Sequence, residues 1–273
     1  MKRSLPSFDE TLPLLNQFIL ELVDAYQTGE INSWTVLDDS VKYFFTPERM
    51  DQMEAIIPGW KKMASYTDGV TLTHVSCVFL GVTILGEFQA LSPEEQQMVK
   101  WIVLFHDLSK FHICGEKDTM HAFRSGILAA EILPTLGFPT TEKYTELLPL
   151  WKTLILNANF KRFGEKAPTP DNKKLPEILA GIDRLFAENT PACLITKVVL
   201  LHISLDADPN YPTPAPLTEA EIKQFFTPEL SRLMRVMMLG DNGGWSLFEP
   251  EVHKQQNRDT RNALEKVEEL ITS

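Results

Sequence analysis

The sequence predicts an all-α fold, a compact multi-helix bundle of about ten helices, on three observations. Apolar residues recur at spacings of three and four, helix-start signals repeat along the chain, and no Asn-Gly turn sits between alternating apolar runs.

Taken in order, the first helix is expected over 12–27. Pro13 stands in its opening turn, and Leu15, Phe18, Ile19, Leu22 and Val23 share one face. Thr46-Pro47-Glu48 opens the next, 47–63, with an N-cap hydroxyl, a proline at the first helical position and an acid in the positive first turn. A helix over 68–89 includes residues 69–86, which carry no charged side chain. That run is barely long enough to span a bilayer, and His74, Ser76 and three threonines make it too polar to favour doing so, so a buried core helix is expected. Ser92-Pro93-Glu94-Glu95 starts 93–107 with a capping box. A cap at Asp118 or Thr119 starts 119–136, where Leu128, Ile132 and Leu136 align. Helices over 143–157, 175–187 and 191–206 follow, the last behind Thr190-Pro191. Thr218 with Glu221 forms a second capping box for 218–240, broken near Thr227 by Thr227-Pro228-Glu229, and 255–271 closes the set. Residues 161–174 are polar, with two prolines and a glycine, and read as a long loop or lid; residues 208–216 read as a proline-rich connector. No repeat of fixed period is present, which argues against a solenoid.

Composition narrows the function classes. The chain has 273 residues, 44% hydrophobic and 23% charged, which excludes wholesale disorder and collagen-like structure and permits a sizeable core. With 26 Lys plus Arg against 37 Asp plus Glu, the net charge of −11 repels phosphate backbones and disfavours a nucleic-acid scaffold role. A small anionic ligand needs only a local positive site, which a metal ion can supply. Cys77, Cys114 and Cys193 form no CxxC and lie beside apolar neighbours, as expected of reduced thiols. Acidic Asp9 and Glu10 precede any long apolar run, so no secretory signal is read; a cytoplasmic protein with no membrane segment is expected, its oligomeric state open.

Chemistry concentrates at six positions. His106-Asp107 ends an apolar run, 99–105, broken only by Lys100, and burying an imidazole and a carboxylate there requires partners or a metal. His74 and His202 sit within uncharged helical stretches, and His121 opens a helix. Leu233, Met237 and Asp241 share a face at i, i+4, i+8, so Asp241 points where core residues do. Any one of these histidines alone reads as a satisfied core residue. Four imidazoles and two carboxylates together suit a transition ion better than calcium.

The order His74, then His106-Asp107 within HDLSK, then His121 with Gly126 five residues on, His202 and finally Asp241 resembles the HD superfamily of metal-dependent phosphohydrolases. The resemblance covers about residues 68–245. It implies an all-helical fold there; with the flanking helices the chain reads as an HD-like domain over 68–273 with a C-terminal helix and an N-terminal helical extension, 1–67, packed on the core as one compact unit. The resemblance further implies that His74, His106, Asp107 and Asp241 ligate a primary metal, that Asp107 bridges to a second, and that His121 and His202 serve that second ion. Lys110 resembles the family's lysine near the substrate phosphate. Arg124, three residues after His121, can face either a ligand phosphate as a bidentate donor or a carboxylate at the solvent side; with Asp107 and Lys110 it completes the expected catalytic and substrate-binding set. The implied cofactor is one or two divalent ions per chain (Mn, Fe, Zn, Co, Ni or Mg). The implied activity is hydrolysis of a nucleotide or other small phosphorylated metabolite. A non-catalytic metal- or nucleotide-binding module and a di-iron oxygenase are the alternatives, and a structural domain with hydrogen-bonded histidines is the plainest one.

Asn157 stands where many relatives carry a paired histidine, so a weaker second site is expected. Asp206, one turn after His202, rivals Asp241, which is preferred because Gly240, Gly243 and Gly244 permit close backbone approach. His112 and Cys114 read as loop residues, Lys161, Arg162 and Lys166 as a solvated charge run, and His253 as surface. Trp245 and Phe248 read as packing residues rather than base-stacking ones, and Met234, Met237 and Met238 as core.

Overall fold

The serine and threonine signals before proline, and both capping boxes, do their local work in the structure, whereas the helix at His121 starts behind Met120 with no side-chain cap bond rather than at Asp118 or Thr119. In the computed structural model, which describes residues 5–65, 70–110, 118–158, 161–163, 167–169, 172–207 and 216–273, fifteen α-helices run among the described residues. They are α1 (Phe8–Thr11), α2 (Pro13–Gln27), α3 (Trp34–Phe44), α4 (Pro47–Ile56), α5 (Trp60–Ser65), α6 (Val70–Ile84), α7 (Gly86–Gln89), α8 (Pro93–His106), α9 (His121–Ile132), α10 (Tyr144–Leu156), α11 (Leu175–Phe186), α12 (Pro191–Leu201), α13 (Glu219–Phe225), α14 (Pro228–Ser246) and α15 (Pro250–Thr272). Thr46, Ser92, Thr190, Thr218 and Thr227 each accept a backbone N–H three residues on, and both capping boxes close.

The core is built where charge is missing. Helix α6 is buried all round from Thr71 to Val82, α8 is buried from Trp101 to His106, and almost all of α12 is buried. With no polar face to turn outward, these helices take the centre. Helix α14 packs along α6 and α15, and α12 packs along α8 and α9. The N-terminal helices lie on this centre. Phe8 meets Trp101 edge-on, Trp101 donates to the Pro6 carbonyl at 3.1 Å, and Thr73 donates to Asp38 at 2.6 Å. One buried apolar cluster runs from Phe8 to Val267.

The structure departs from expectation at several places. Helices α1 and α3 are additional. Helix α3 is capped by Ser33 and buries Leu37, Val41 and Phe44 at i, i+4, i+7, a face diluted in sequence by β-branched and acidic neighbours. The expected 47–63 helix breaks at Pro58-Gly59, where Gly59 takes φ +102°, and 68–89 breaks at Leu85. The expected 191–206 helix ends at Leu201, whereas α14 continues past Asp241 to Ser246 and α15 begins at Pro250. Within 161–174, Lys161–Phe163 and Ala167–Thr169 pair as antiparallel strands β1 and β2, with Arg162 opposite Pro168. Most of the 208–216 connector lies outside the described residues. No helix among the described residues is long and apolar enough to cross a membrane.

Candidate metal centre

Helix ends deliver the side chains. His106 is the last residue of α8, Asp107 its C-cap, His202 the C-cap of α12, and His121 the first residue of α9. His74 lies in the second turn of α6 and Asp241 inside α14. The glycines explain how two central helices bring these last two together. A Cβ on Gly240 would lie 2.2 Å from Val82, and one on Gly244 would lie 2.9 Å from Val78. The backbone of α14 therefore presses directly on α6, and the Asp241 carboxylate reaches His74 Nε2 at 2.9 Å.

Three of the four rings are oriented the same way. Nδ1 of His106 donates to the Val103 carbonyl at 2.7 Å, Nδ1 of His202 to Val199 at 2.7 Å, and Nδ1 of His121 to the Asp118 carbonyl. A carbonyl only accepts, so Nδ1 carries a proton in all three rings, and Nε2 is the nitrogen left facing the cluster.

All six groups converge. Asp107 Oδ2 lies 3.6 Å from Nε2 of both His74 and His106. Its Oδ1 lies 3.1 Å from His121 Nε2 and 3.9 Å from His202 Nε2. Asp241 Oδ1 lies 3.7 Å from His106 Nε2. The donors thus form two sets, His74/His106/Asp241 and Asp107/His121/His202, each with its donor atoms within 4.8 Å of one another. Asp107 turns its second oxygen toward the first set. Donors to one ion with bonds of about 2.0–2.2 Å stand roughly 3–4.4 Å apart, so the spacing suits metal.

Hydrogen bonding alone does not satisfy this cluster. Among the described residues, His106 Nε2 and Asp107 Oδ1 are buried without a hydrogen-bond partner. Nε2 of His121 and Nε2 of His202 face each other at 3.1 Å, so the two rings have at most one proton to share between them. Each buried unsatisfied group costs about 1–3 kcal/mol, and a cation between them removes the cost at once. The donor set can hold a metal ion.

Electrostatics prepares the ligands in the form that binds metal. Burial pushes His74 down despite its bond to Asp241, and burial with the neighbouring His121 and His106 pushes His202 down to about 3. Burial opposes ionisation of Asp107, but Lys110, with His106 and His121, outweighs it and holds the carboxyl well below its ordinary range. Asp241 is likewise held low against its burial, by the His74 bond. Ionised carboxylates and neutral imidazoles are the ligating species.

The remaining candidates sort by position. Lys110 Nζ lies 2.6 Å from Asp107 Oδ2, with its side chain 26% exposed, so it sits on the cluster and reaches solvent. Arg124 does not join the cluster. Its guanidinium grips the Asp118 carboxylate and the Ser109 carbonyl, bracing the backbone that carries His121 and Lys110. Asp206 is exposed and Asn157 is an exposed C-cap of α10, both outside the donor sets. His112, Cys114 and Lys166, and the side chains of Lys161 and Arg162, lie outside the described residues. Met234, Met237 and Met238 are buried, and Phe248 packs edge-on against Tyr26. Cys77 and Cys193 are buried free thiols raised to about 12 by burial, hence protonated. His253 is not a simple surface residue: it fills the space over Gly243, with its Nε2 2.9 Å from the Asn257 amide.

Two neighbours of the site carry other readings in the sequence, Asp118 as a helix cap and Trp245 as a packing residue. Asp118 orients His121 through its carbonyl, for which the sequence carries no signal. Trp245 lies parallel to His74 with ring centroids 4.3 Å apart. Its spacing of four from Asp241 on one helix is the signal that places it there. No protein-family model, curated protein or solved structure matches the chain. The helical fold and the buried His/Asp cluster are compatible with an HD-type domain.

Proposed function

We propose that this protein is a metal-dependent phosphohydrolase of the HD type, acting on a nucleotide or another small phosphorylated metabolite. The observation that carries the reading is Asp107: one carboxylate faces both donor sets, and a lysine open to solvent sits against it. His74, His106, Asp241 and Asp107 would hold a primary ion, and His121 and His202 with the other Asp107 oxygen a second. A divalent transition ion supplies Lewis-acid neutralisation of a phosphoryl oxygen and acidifies water at neutral pH.

The chain's own groups do the rest. The Nδ1–carbonyl bonds fix three imidazoles before any ligand arrives, so little reorganisation is needed. Lys110 has three N–H donors and commits one to Asp107; the others point a fixed positive charge at an incoming phosphoryl group. Burial favours loss of that charge, but Asp107 and Asp241 oppose it more strongly and raise the Lys110 pKa, so Lys110 stays protonated through neutral pH. Arg124 acts by holding the Asp118 backbone under His121 rather than by touching substrate.

A second reading, a non-catalytic binding module for a phosphorylated ligand, is favoured by one observation: Lys110 and Arg124 are both engaged by carboxylates of the chain itself. Turnover separates the two. Purified protein supplied in turn with Mn, Fe, Co, Ni, Zn and Mg is assayed against nucleoside mono-, di- and triphosphates and sugar phosphates. Metal-dependent phosphate release that is lost in Asp107→Asn supports the enzyme. Saturable ligand binding without release across the panel supports the module.

A further inference from the structure

His74 is anchored differently from its three companions. Its Nδ1 is buried and has no hydrogen-bond partner among the described residues, so no carbonyl sets its ring plane. What lies on it is an indole. Trp245 stacks on the imidazole with centroids 4.3 Å apart and planes 14° apart, and Trp34 lies parallel to Trp245 at 5.3 Å, again at 14°. The three rings form a run from the surface to the donor set: Trp245 is 48% exposed, and His74 is fully buried.

The local backbone is arranged to make this contact. Gly244 brings α14 so close to α6 that a Cβ there would stand 3.5 Å from His74 Cε1. Asp241 and Trp245, one helical turn apart, therefore reach the same imidazole, the first at Nε2 and the second over the ring. Trp34, the first residue of α3, backs the indole from a helix that packs on α6. An aromatic face also attracts positive charge, and an imidazole coordinated to a divalent ion is the more positive partner, so the stack favours the metal-loaded site.

We propose that Trp245, backed by Trp34, is the positioning residue of His74, setting by ring stacking the plane that backbone carbonyls set for His106, His121 and His202. This rests on the metal-centre reading. Neither indole is a ligand or a catalytic residue.

The test uses Co2+ added to the metal-free full-length protein, with affinity from equilibrium dialysis and tryptophan emission recorded in parallel. In wild type, Co2+ binds and quenches part of the emission. Trp245→Leu keeps apolar bulk without a stacking face and should bind Co2+ about 10- to 100-fold more weakly, the usual cost of a lost supporting partner to a ligand. Trp245→Phe restores a face and should stay within about threefold of wild type, while the quenched emission disappears with the indole. Trp34→Leu should weaken binding less than Trp245→Leu. Far-UV circular dichroism and the metal-free melting temperature should barely change, because the indole is half-exposed. If Trp245→Leu does not fold, Trp245→Phe and the wild-type quench decide. Wild-type affinity in Trp245→Leu, an affinity of Trp245→Phe as low as that of Trp245→Leu, or Co2+ binding without any quench overturns the proposal alone. No Co2+ binding by wild type overturns the metal centre and the proposal together.

Discussion

Replacing Gly240 by alanine tests whether the close approach of two helices builds the site. The added Cβ would stand 2.2 Å from Val82 Cγ2, against an ordinary carbon–carbon contact of about 3.5 Å or more. The deficit is therefore about 1.3 Å. Val82 cannot easily turn away, being β-branched on a helix and 2% exposed. Helix α14 must back off from α6 by most of that distance and carry Asp241, the next residue, with it. Over-packing of this kind costs about 1–3 kcal/mol, offset by the roughly 1 kcal/mol that alanine gains over glycine in a helix. Net destabilisation of about 0–2 kcal/mol is expected in urea unfolding. The larger effect is on metal. Ligand distances tolerate about 0.2 Å, so moving Asp241 from its 2.9 Å spacing to His74 should weaken Co2+ binding at least tenfold. Gly240→Ala combined with Val82→Ala reopens the space and should recover most of the affinity, a coupling that a double-mutant cycle measures directly. Wild-type affinity in Gly240→Ala, or no recovery in the double variant, refutes the reasoning.

Three further outcomes are expected. His106→Ala should lose metal and activity yet keep its helical circular dichroism, since apolar packing dominates stability; global unfolding of the variant while metal-free wild type stays folded would mark a structural histidine. His202→Ala removes one of only three donors in the Asp107/His121/His202 set and should lower turnover more than it lowers tightly held metal; loss of all bound metal would contradict this. The metal-free protein should lose stability as pH falls below about 6.5, because the unfolded chain then takes up protons that buried His74 and His202 refuse. At pH 5.5 that amounts to roughly 1 kcal/mol for His202, and protonation of Asp107 and Asp241, both held low, adds further loss below about pH 4. Equal urea midpoints at pH 7.5 and 5.5 would show that these rings are not held neutral by the fold.

What the sequence makes legible follows from local chemistry. A threonine or serine before proline caps a helix wherever it occurs, so the starts of α4, α8, α12 and α14 are readable without knowing the fold. An uncharged run such as that of α6 has nowhere to go but the centre, and it takes His74 with it. Helix α3 is harder, because Ser33 caps it without a proline and Thr35, Val36, Asp38 and Asp39 dilute its apolar face. The β1–β2 hairpin carries only three residues per strand, too few for alternation to register. At the site, residue types and order suffice to nominate the six donors, since buried imidazoles and carboxylates require partners. Which oxygen of Asp107 faces which set, the carbonyls under three rings and the indole over the fourth are products of tertiary packing. Glycines near Asp241 read correctly as points of close approach, but what approaches Gly240 and Gly244 is helix α6, what approaches Gly243 is His253 of α15, and the continuation of α14 is what puts Trp245 on His74.

The most direct measurement is elemental analysis of the protein purified without added chelator or metal, and again after loading and dialysis, alongside His106→Ala and Asp107→Asn. A metal centre requires at least one tightly held transition ion per chain in wild type, its loss in both variants, and retention of the helical fold in all three. Wild-type protein that carries no ion as purified and takes up none from Mn, Fe, Co, Ni or Zn would show that the six residues are a buried polar cluster and nothing more.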